Sequence, residues 1–313
     1  MSILLQVGLL IIGFVLLMKG ADWFVDGASG VAGRLGISEL IIGLTIVAMG
    51  TSLPEAAVSI AAATKGSAEI TIGNVVGSNI LNVLIILGIT SFIRAIPVQN
   101  STVKYEIPFT IGITILLLGL GIFDHIVGRT DGLILWFFMI LYLLYLMRMA
   151  KQGKGNTEEE GNEKKKPLPF LIVMILVGGA MIVFGSDVTV DAATAIAREF
   201  GMTERFIGLT IVAFGTSLPE LVTSVTAAIK GKSDIAIGNI VGSNIFNILF
   251  VVGTTALITP VAYSGAFLID SFTAVFAAVL LFACVLKNHK LGRLGGCLML
   301  ISYAGYFVYL FRS

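Results

Sequence analysis

Charge is scarce in this sequence. Only 12% of its 313 residues are Asp, Glu, Lys or Arg, and they nearly cancel to a formal net charge of +1. Soluble domains carry about a quarter charged residues, so a water-facing globule is excluded. A strongly basic face of the kind that meets nucleic acid is excluded as well. Cysteine and histidine are almost missing. Cys284 and Cys297 fall in separate apolar runs, and His125 and His289 in short polar stretches. No disulfide framework is expected from that pattern, and no thiolate or imidazole cage for Zn²⁺. No basic segment precedes the first apolar run, so a cleaved secretory signal is not expected either.

What fills the chain is hydrocarbon: 57% of the residues are hydrophobic and the mean hydropathy is +0.99. A membrane helix needs roughly 20 apolar residues. Ten runs qualify, at 3–32, 40–64, 69–92, 105–124, 130–150, 168–198, 204–230, 234–258, 265–287 and 290–311. The sequence thus predicts an all-α membrane protein of ten transmembrane helices. Five helices occupy residues 1–150 and five occupy 168–313. The stretch between, 151–167, is rich in Gly, Glu and Lys and reads as a flexible linker. Basic residues mark cytoplasmic loops. With the N-terminus outside, the inner loops gather Arg34, Arg94, Lys104, Arg148, Lys151, Lys154, Lys164, Lys165, Lys166, Lys230, Lys232, Lys287, Lys290 and Arg293. The outer side keeps only Lys65, Arg129, Arg198, Arg205 and Arg312. Both termini are therefore expected outside and the linker in the cytoplasm.

The chain repeats itself. Residues 43–55 read GLTIVAMGTSLPE and residues 208–220 read GLTIVAFGTSLPE. At the same offset of 165, ITIGNVVGSNILN (70–82) matches IAIGNIVGSNIFN (235–247), and Asp22 and Asp26 match Asp187 and Asp191. An odd number of spans per copy makes the second copy enter the membrane from the opposite face. The result is an inverted-topology repeat, an architecture of secondary transporters whose sites lie near the midplane between broken helices.

Few ionisable groups lie deep in the apolar runs, and Glu55 and Glu220 are the clearest. A charge at the bilayer centre costs roughly 2.5–3.5 kcal/mol on the mildest scale, so two at equivalent positions require a partner or a purpose. Each follows a proline, Pro54 or Pro219. A proline ring clashes with the carbonyl four residues back, so the second and seventh helices should break around Gly-Thr-Ser-Leu-Pro. Thr51, Thr216, Ser52 and Ser217 precede the glutamates by three or four residues, on their helical face. Asn74, Ser78 and Asn82 recur every four residues along one helix, and Asn239, Ser243 and Asn247 copy them. Asn74 and Asn239 read as interhelical glue; the deeper Ser78, Asn82, Ser243 and Asn247 read as site lining. Gly73 with Gly77, and Gly238 with Gly242, permit close helix approach. Asp22, Asp26, Asp187 and Asp191 lie near an aqueous end and read as capping or interfacial groups. Ser38 with Glu39, and Thr203 with Glu204, mark helix N-termini. Carboxylates, hydroxyls, amides and freed carbonyls together suit a hard cation such as Ca²⁺ and disfavour soft metals. Two carboxylates balance one Ca²⁺ or two Na⁺, so either load satisfies the same groups.

The paired GTSLPE and GN-x-x-GSN motifs resemble the repeats of the cation/Ca²⁺ exchanger superfamily, its prokaryotic Na⁺/Ca²⁺ exchangers in particular. The resemblance covers almost the whole chain. It implies that Glu55 and Glu220 are the central ligands for both Ca²⁺ and Na⁺, and that Thr51 and Thr216 give backbone oxygens to Ca²⁺. It implies that the carbonyls of Ala48 and Ala213, with Ser52, Ser217, Ser78 and Ser243, line flanking Na⁺ sites. Asn82 and Asn247 would complete the middle. It further implies electrogenic exchange of three Na⁺ for one Ca²⁺, with the first and sixth helices sliding across the other eight. K⁺-dependent relatives carry Asp where this chain has Asn247, which argues against K⁺ co-transport. No organic cofactor, enzyme activity or obligate protein partner is expected beyond the lipid bilayer and the transported ions. An H⁺/Ca²⁺ exchanger of the same superfamily stays open, since burial favours the neutral form of a carboxyl. A passive cation channel fits the broken helices less well. An intramembrane hydrolase lacks a base beyond Glu to serve its buried hydroxyls.

Overall fold

A computed structural model describes residues 3–65, 68, 70–153, 166–201, 213–265 and 267–312. The described chain is almost wholly helical, as a segment in lipid must be if it is to pair its own backbone groups. The first half holds α1 (Ile3–Leu35), α2 (Glu39–Thr51), α3 (Leu53–Thr64), α4 (Ile70–Ile93), α5 (Thr102–Asp124) and α6 (Arg129–Gly153). The second holds α7 (Leu168–Glu199), α8 (Ala213–Thr216), α9 (Leu218–Ile229), α10 (Ser233–Ile258), α11 (Phe267–Leu286) and α12 (Arg293–Arg312). Among the described residues, eight helices are long and apolar enough to cross a membrane, and the bent pair α2–α3 makes a ninth. The expected span 204–230 is seen from Ala213 on, as α8 and α9. Its first part, with Glu204 and Arg205, lies outside the described residues, as do Thr203 before it and residues 154–165 of the expected linker. The fifth span runs on to Gly153, past its expected end.

Local chemistry sets the ends and breaks. α1 stops at Gly36, which takes a φ of +64°, a conformation that costs glycine little. Ser38 then caps α2, its Oγ accepting from the Ile41 N–H at 3.4 Å. α2 and α3 meet at 47° across Ser52 (φ −86°, ψ 9°), with Pro54 in the first turn of α3. The mirror break falls at Ser217 (φ −92°, ψ 3°). Both are where the proline clash places them.

Two bodies are visible in the packing. α4 and α10 are the centre: 94% of the apolar window of α10 and 72% of that of α4 is buried, against 17% for α12. Their side chains anchor the larger core, with Leu84, Ile80, Ile240 and Leu249 fully covered. The long α1 and α7 lie against each other and form most of a second core around Leu17, Phe24, Val25 and Ile182. Their backbones nearly touch. A Cβ on Gly178 would sit 2.8 Å from the Gly20 carbonyl oxygen and 2.7 Å from the Phe24 nitrogen.

Four two-residue strands, not expected from hydropathy, qualify the all-α reading. β1 (Ile96–Pro97) pairs with β4 (Lys290–Leu291), and β2 (Ile126–Val127) pairs with β3 (Val261–Ala262), all antiparallel. Each pair joins one half to the other. β1 does not share a partner or a neighbour with its own copy, β3. Loops that are copies of each other therefore join different partner loops, as an inverted repeat requires and a parallel one does not. His289 and His125 serve these crossings. Each has a positive φ, and their carbonyls accept from Val98 and Tyr263, both at 2.8 Å.

Candidate ion-binding site

The two broken helices and the two central helices converge. Glu55, in the first turn of α3, and Glu220, in the first turn of α9, are both fully buried. One oxygen of each carboxylate is held. Ser78 approaches Glu55 Oε1 at 3.5 Å, and Ser243 approaches Glu220 Oε1 at the same distance. Ser52 donates to Glu220 Oε1 across the half boundary at 2.8 Å. The mirror hydroxyl, Ser217, faces Glu55 but lies outside hydrogen-bonding geometry. The site is thus asymmetric in detail although its residues are duplicated.

The other oxygens are what define it. Glu55 Oε2, Glu220 Oε2, Asn82 Oδ1 and Asn247 Oδ1 are buried and without a hydrogen-bond partner. Buried polar atoms left unpaired cost about 1–3 kcal/mol each, more when charged. Four in mirrored positions mark a place built for something that accepts their lone pairs. Oxygen-only donors of this kind suit Na⁺ or Ca²⁺.

Asn82 and Asn247 keep that orientation through a pair of residues that the four-residue stripe overlooked. Asn79 Nδ2 donates to the Asn244 carbonyl at 3.2 Å, and Asn244 Nδ2 to the Asn79 carbonyl at 3.3 Å. Asn82 Nδ2 then donates to Asn244 Oδ1 at 3.0 Å and Asn247 Nδ2 to Asn79 Oδ1 at 3.1 Å. An amide has one acceptor oxygen and one donor nitrogen, so this ring turns Oδ1 of Asn82 and Asn247 away from it. Both asparagines also open π-helical turns, Asn82–Leu87 and Asn247–Val252, a distortion frequent at functional sites. Asn79→Leu is expected to leave Asn247 Nδ2 unpaired, costing about 1–3 kcal/mol, while the Asn244 carbonyl keeps the Asn247 N–H. Thermal unfolding in detergent would read the loss. Freed Asn247 should also weaken the apparent Ca²⁺ affinity by about tenfold, as lost outer-shell partners do.

The remaining expected residues fall around this centre. Thr51 turns its hydroxyl away from Glu55, bonding the Val47 carbonyl at 3.1 Å and Asn239 Oδ1 at 3.0 Å. The Ala48 carbonyl accepts from the Ser52 N–H at 3.0 Å and from Ser243 Oγ at 3.3 Å. Thr216 ends α8 and Ala213 begins it. Asn74 donates to the Glu55 carbonyl (3.2 Å) and Ser59 Oγ (3.0 Å). Asn239 repeats this with the Glu220 carbonyl (3.5 Å) and Ser224 Oγ (2.9 Å). These two asparagines lock the broken helices onto the central ones. Gly238 and Gly242 let α10 close on α2, their Cβ positions lying 3.0 Å and 2.8 Å from the carbonyls of Leu40 and Leu44. Gly73 meets Phe267, and Gly77 has no neighbour within 4 Å among the described residues. A further buried carboxylate, Glu106 on α5, lies apart from the site and takes a hydrogen bond from the Tyr145 hydroxyl.

Asp22 and Asp26 do more than cap. Lys230, at the end of α9, meets Asp26 Oδ1 at 2.7 Å, Asp22 Oδ1 at 3.2 Å and the Asp22 carbonyl at 3.0 Å. Asp187 and Asp191 have no basic partner among the described residues.

An inverted helical repeat in the membrane, with broken helices meeting at buried carboxylates, defines a secondary transporter of cations. Comparison with known proteins narrows the class. The family model described as sodium/calcium exchanger protein matches residues 5–149 and 170–312. The chain is 41% identical to the putative antiporter CaxA of Alkalimonas amylolytica, over 97% of this chain and 98% of that one. It is 32% identical to the sodium/calcium exchanger MaX1 of Methanosarcina acetivorans, over 97% of each. A solved structure of the sodium-calcium exchanger NCX_Mj, soaked with 10 mM Na⁺ and no Ca²⁺, is similar at a TM-score of 0.85. Its sequence identity is 32%, over 98% of this chain and 99% of that one. The chain belongs to the sodium/calcium exchanger family. It is a membrane cation/Ca²⁺ antiporter rather than an enzyme.

Proposed function

We propose that the protein exchanges Na⁺ for Ca²⁺ across the cell membrane by alternating access, three Na⁺ for each Ca²⁺. The four mirrored, unpaired oxygens of Glu55, Glu220, Asn82 and Asn247 carry this reading. Glu55 and Glu220 serve both ions. Thr51, Thr216, Ala48 and Ala213 supply backbone oxygens, and Ser52, Ser217, Ser78 and Ser243 line the Na⁺ positions. With both glutamates ionised, one Ca²⁺ leaves the site neutral and three Na⁺ leave it at +1, so one net charge crosses per cycle. Two carboxylates facing each other in a dry site penalise the empty carrier, which favours exchange over leak. The excess of basic residues places the Lys230 face and the 151–167 linker in the cytoplasm, with both termini outside.

The test is ⁴⁵Ca²⁺ uptake into Na⁺-loaded vesicles diluted into Na⁺-free medium, with K⁺-loaded vesicles and an imposed pH gradient as controls. Uptake requires internal Na⁺ on this reading; uptake that ignores Na⁺ and follows the pH gradient assigns the site to H⁺/Ca²⁺ exchange instead. Because positive charge leaves as Ca²⁺ enters, an inside-positive potential should favour uptake. One charge across 100 mV is worth roughly 2.3 kcal/mol. A 100 mV K⁺/valinomycin clamp should therefore change Ca²⁺ accumulation at equilibrium by about 50-fold. An electroneutral two-for-one exchange would show no change.

A further inference from the structure

The ion pair at Lys230 has a mirror that the structure leaves open. At the repeat offset, Lys65 matches Lys230, and Asp187 and Asp191 match Asp22 and Asp26. Each lysine follows the second arm of a broken helix, α3 or α9. Each aspartate pair lies four residues apart on a long helix, α1 or α7, and so shares one face. Lys230 bridges to Asp22 and Asp26. Lys65 is exposed and pairs with no residue among those described, and Asp187 and Asp191 meet no cation there. Chance would not conserve a lysine and two aspartates across the duplication while the neighbouring pair is lost. Lys232 bonds Glu39 at 2.8 Å, but the positions that copy them hold Ser67 and Glu204.

We propose that these six residues are two reciprocal latches, and that transport alternates between them. In the conformation described, Lys230 fastens α1 to α9 and closes that face. In the opposite conformation Lys65 fastens α7 to α3 and closes the other. α1 and α7 pack along each other and supply most of the second core, which Ile42, Val47, Ala227, Ala228, Ile235 and Ala236 complete, so the pair can shift together across those residues. Releasing one latch exposes two like charges on a single helical face, and engaging its mirror removes the same repulsion at the other end. The two end states are thereby kept close in energy, as a carrier that must visit both requires. The lysines and aspartates act as positioning residues and touch no transported ion. The proposal rests on the alternating-access reading above.

Mirror substitutions test it because their effects must have opposite signs. An exposed ion pair contributes little, so each change should be roughly two- to five-fold. Apparent affinity at a face scales with the fraction of carrier open to it. Lys230→Gln should raise half-saturating Ca²⁺ at the opposite face and lower it at its own, measured in vesicles of each orientation. Lys65→Gln should do the reverse. The double variant should return near the wild-type values. Both singles moving the same way, or neither moving, overturns the proposal. A readout free of transport uses nitroxide pairs in protein with Cys284→Ser and Cys297→Ser. Trp23→Cys with Ile229→Cys reports one latch, and Val188→Cys with Thr64→Cys reports the other. Lys230→Gln should lengthen the first distance and shorten the second. If the unsubstituted protein shows no Na⁺-driven uptake, the exchange reading fails while these distances still decide the latches.

Discussion

Glu55→Gln and Glu220→Gln are each expected to abolish Na⁺-driven ⁴⁵Ca²⁺ uptake. Losing even an outer-shell partner of a bound metal costs roughly 10–100-fold; losing one of the two central charges must cost at least the upper end of that range. The protein itself should survive. Glutamine keeps the side-chain size and removes a buried charge whose solvation penalty was otherwise unmet. Thermal unfolding without ions should therefore show equal or greater stability in the variants, while the stabilisation that Ca²⁺ gives the wild type should vanish. A variant that unfolds earlier and still gains stability from Ca²⁺ would show that these carboxylates hold the fold and not the ion. The two variants should also be equivalent, despite the unequal hydrogen bonding of Ser52 and Ser217, because the repeat gives each glutamate the same place in the cycle.

Gly178→Val is expected to be nearly as severe, by a different route. The added Cβ would lie 2.7 Å from a backbone nitrogen and 2.8 Å from a backbone oxygen of α1, and neither atom can rotate away. α1 and α7 must part along their length, opening a core in which Leu17, Val25 and Ala21 are fully covered. Overpacking typically costs 1–3 kcal/mol, and a β-branched side chain in a helix has no spare rotamer with which to relieve it. The expected outcome is a sharp fall in folded yield or, in whatever folds, loss of transport with Ca²⁺ affinity retained. Gly8→Val on the partner helix α1 is the control, since nothing lies within 4 Å of that position. Unimpaired transport by Gly178→Val would mean that close contact of α1 and α7 is unnecessary.

Much of this was readable in the chain. Hydropathy located the spans, proline located the breaks at Ser52 and Ser217, and the depth of Glu55 and Glu220 pointed to the site. What escaped notice is of one kind: contacts between copies. Asn79 stands off the four-residue stripe of Asn74, Ser78 and Asn82, and its partner is its own copy, Asn244. No pattern within either helix indicates that the two meet. Asp22 and Asp26 were legible as groups near water, but Lys230 lies on the other half and only folding brings it near. The four short strands and the π-helical turns at Asn82 and Asn247 have no hydropathy signature. Periodicity describes how one helix faces its surroundings; it is silent about which helix it faces.

The strand crossings also set a schedule for biosynthesis. Ile96 pairs with Leu291 and Val127 with Val261, so the loops of the first five helices have partners that do not yet exist when those helices enter the membrane. At about 5–20 residues per second, roughly 10–40 s separate the synthesis of Ile96 from that of Leu291. Through that interval Glu55 has neither Glu220 nor the Asn244 crossing beside it. A half-made chain is thus an incomplete carrier in the bilayer, without the second half of its site, and ribosome-bound intermediates arrested before β3 should be the most exposed to membrane proteases.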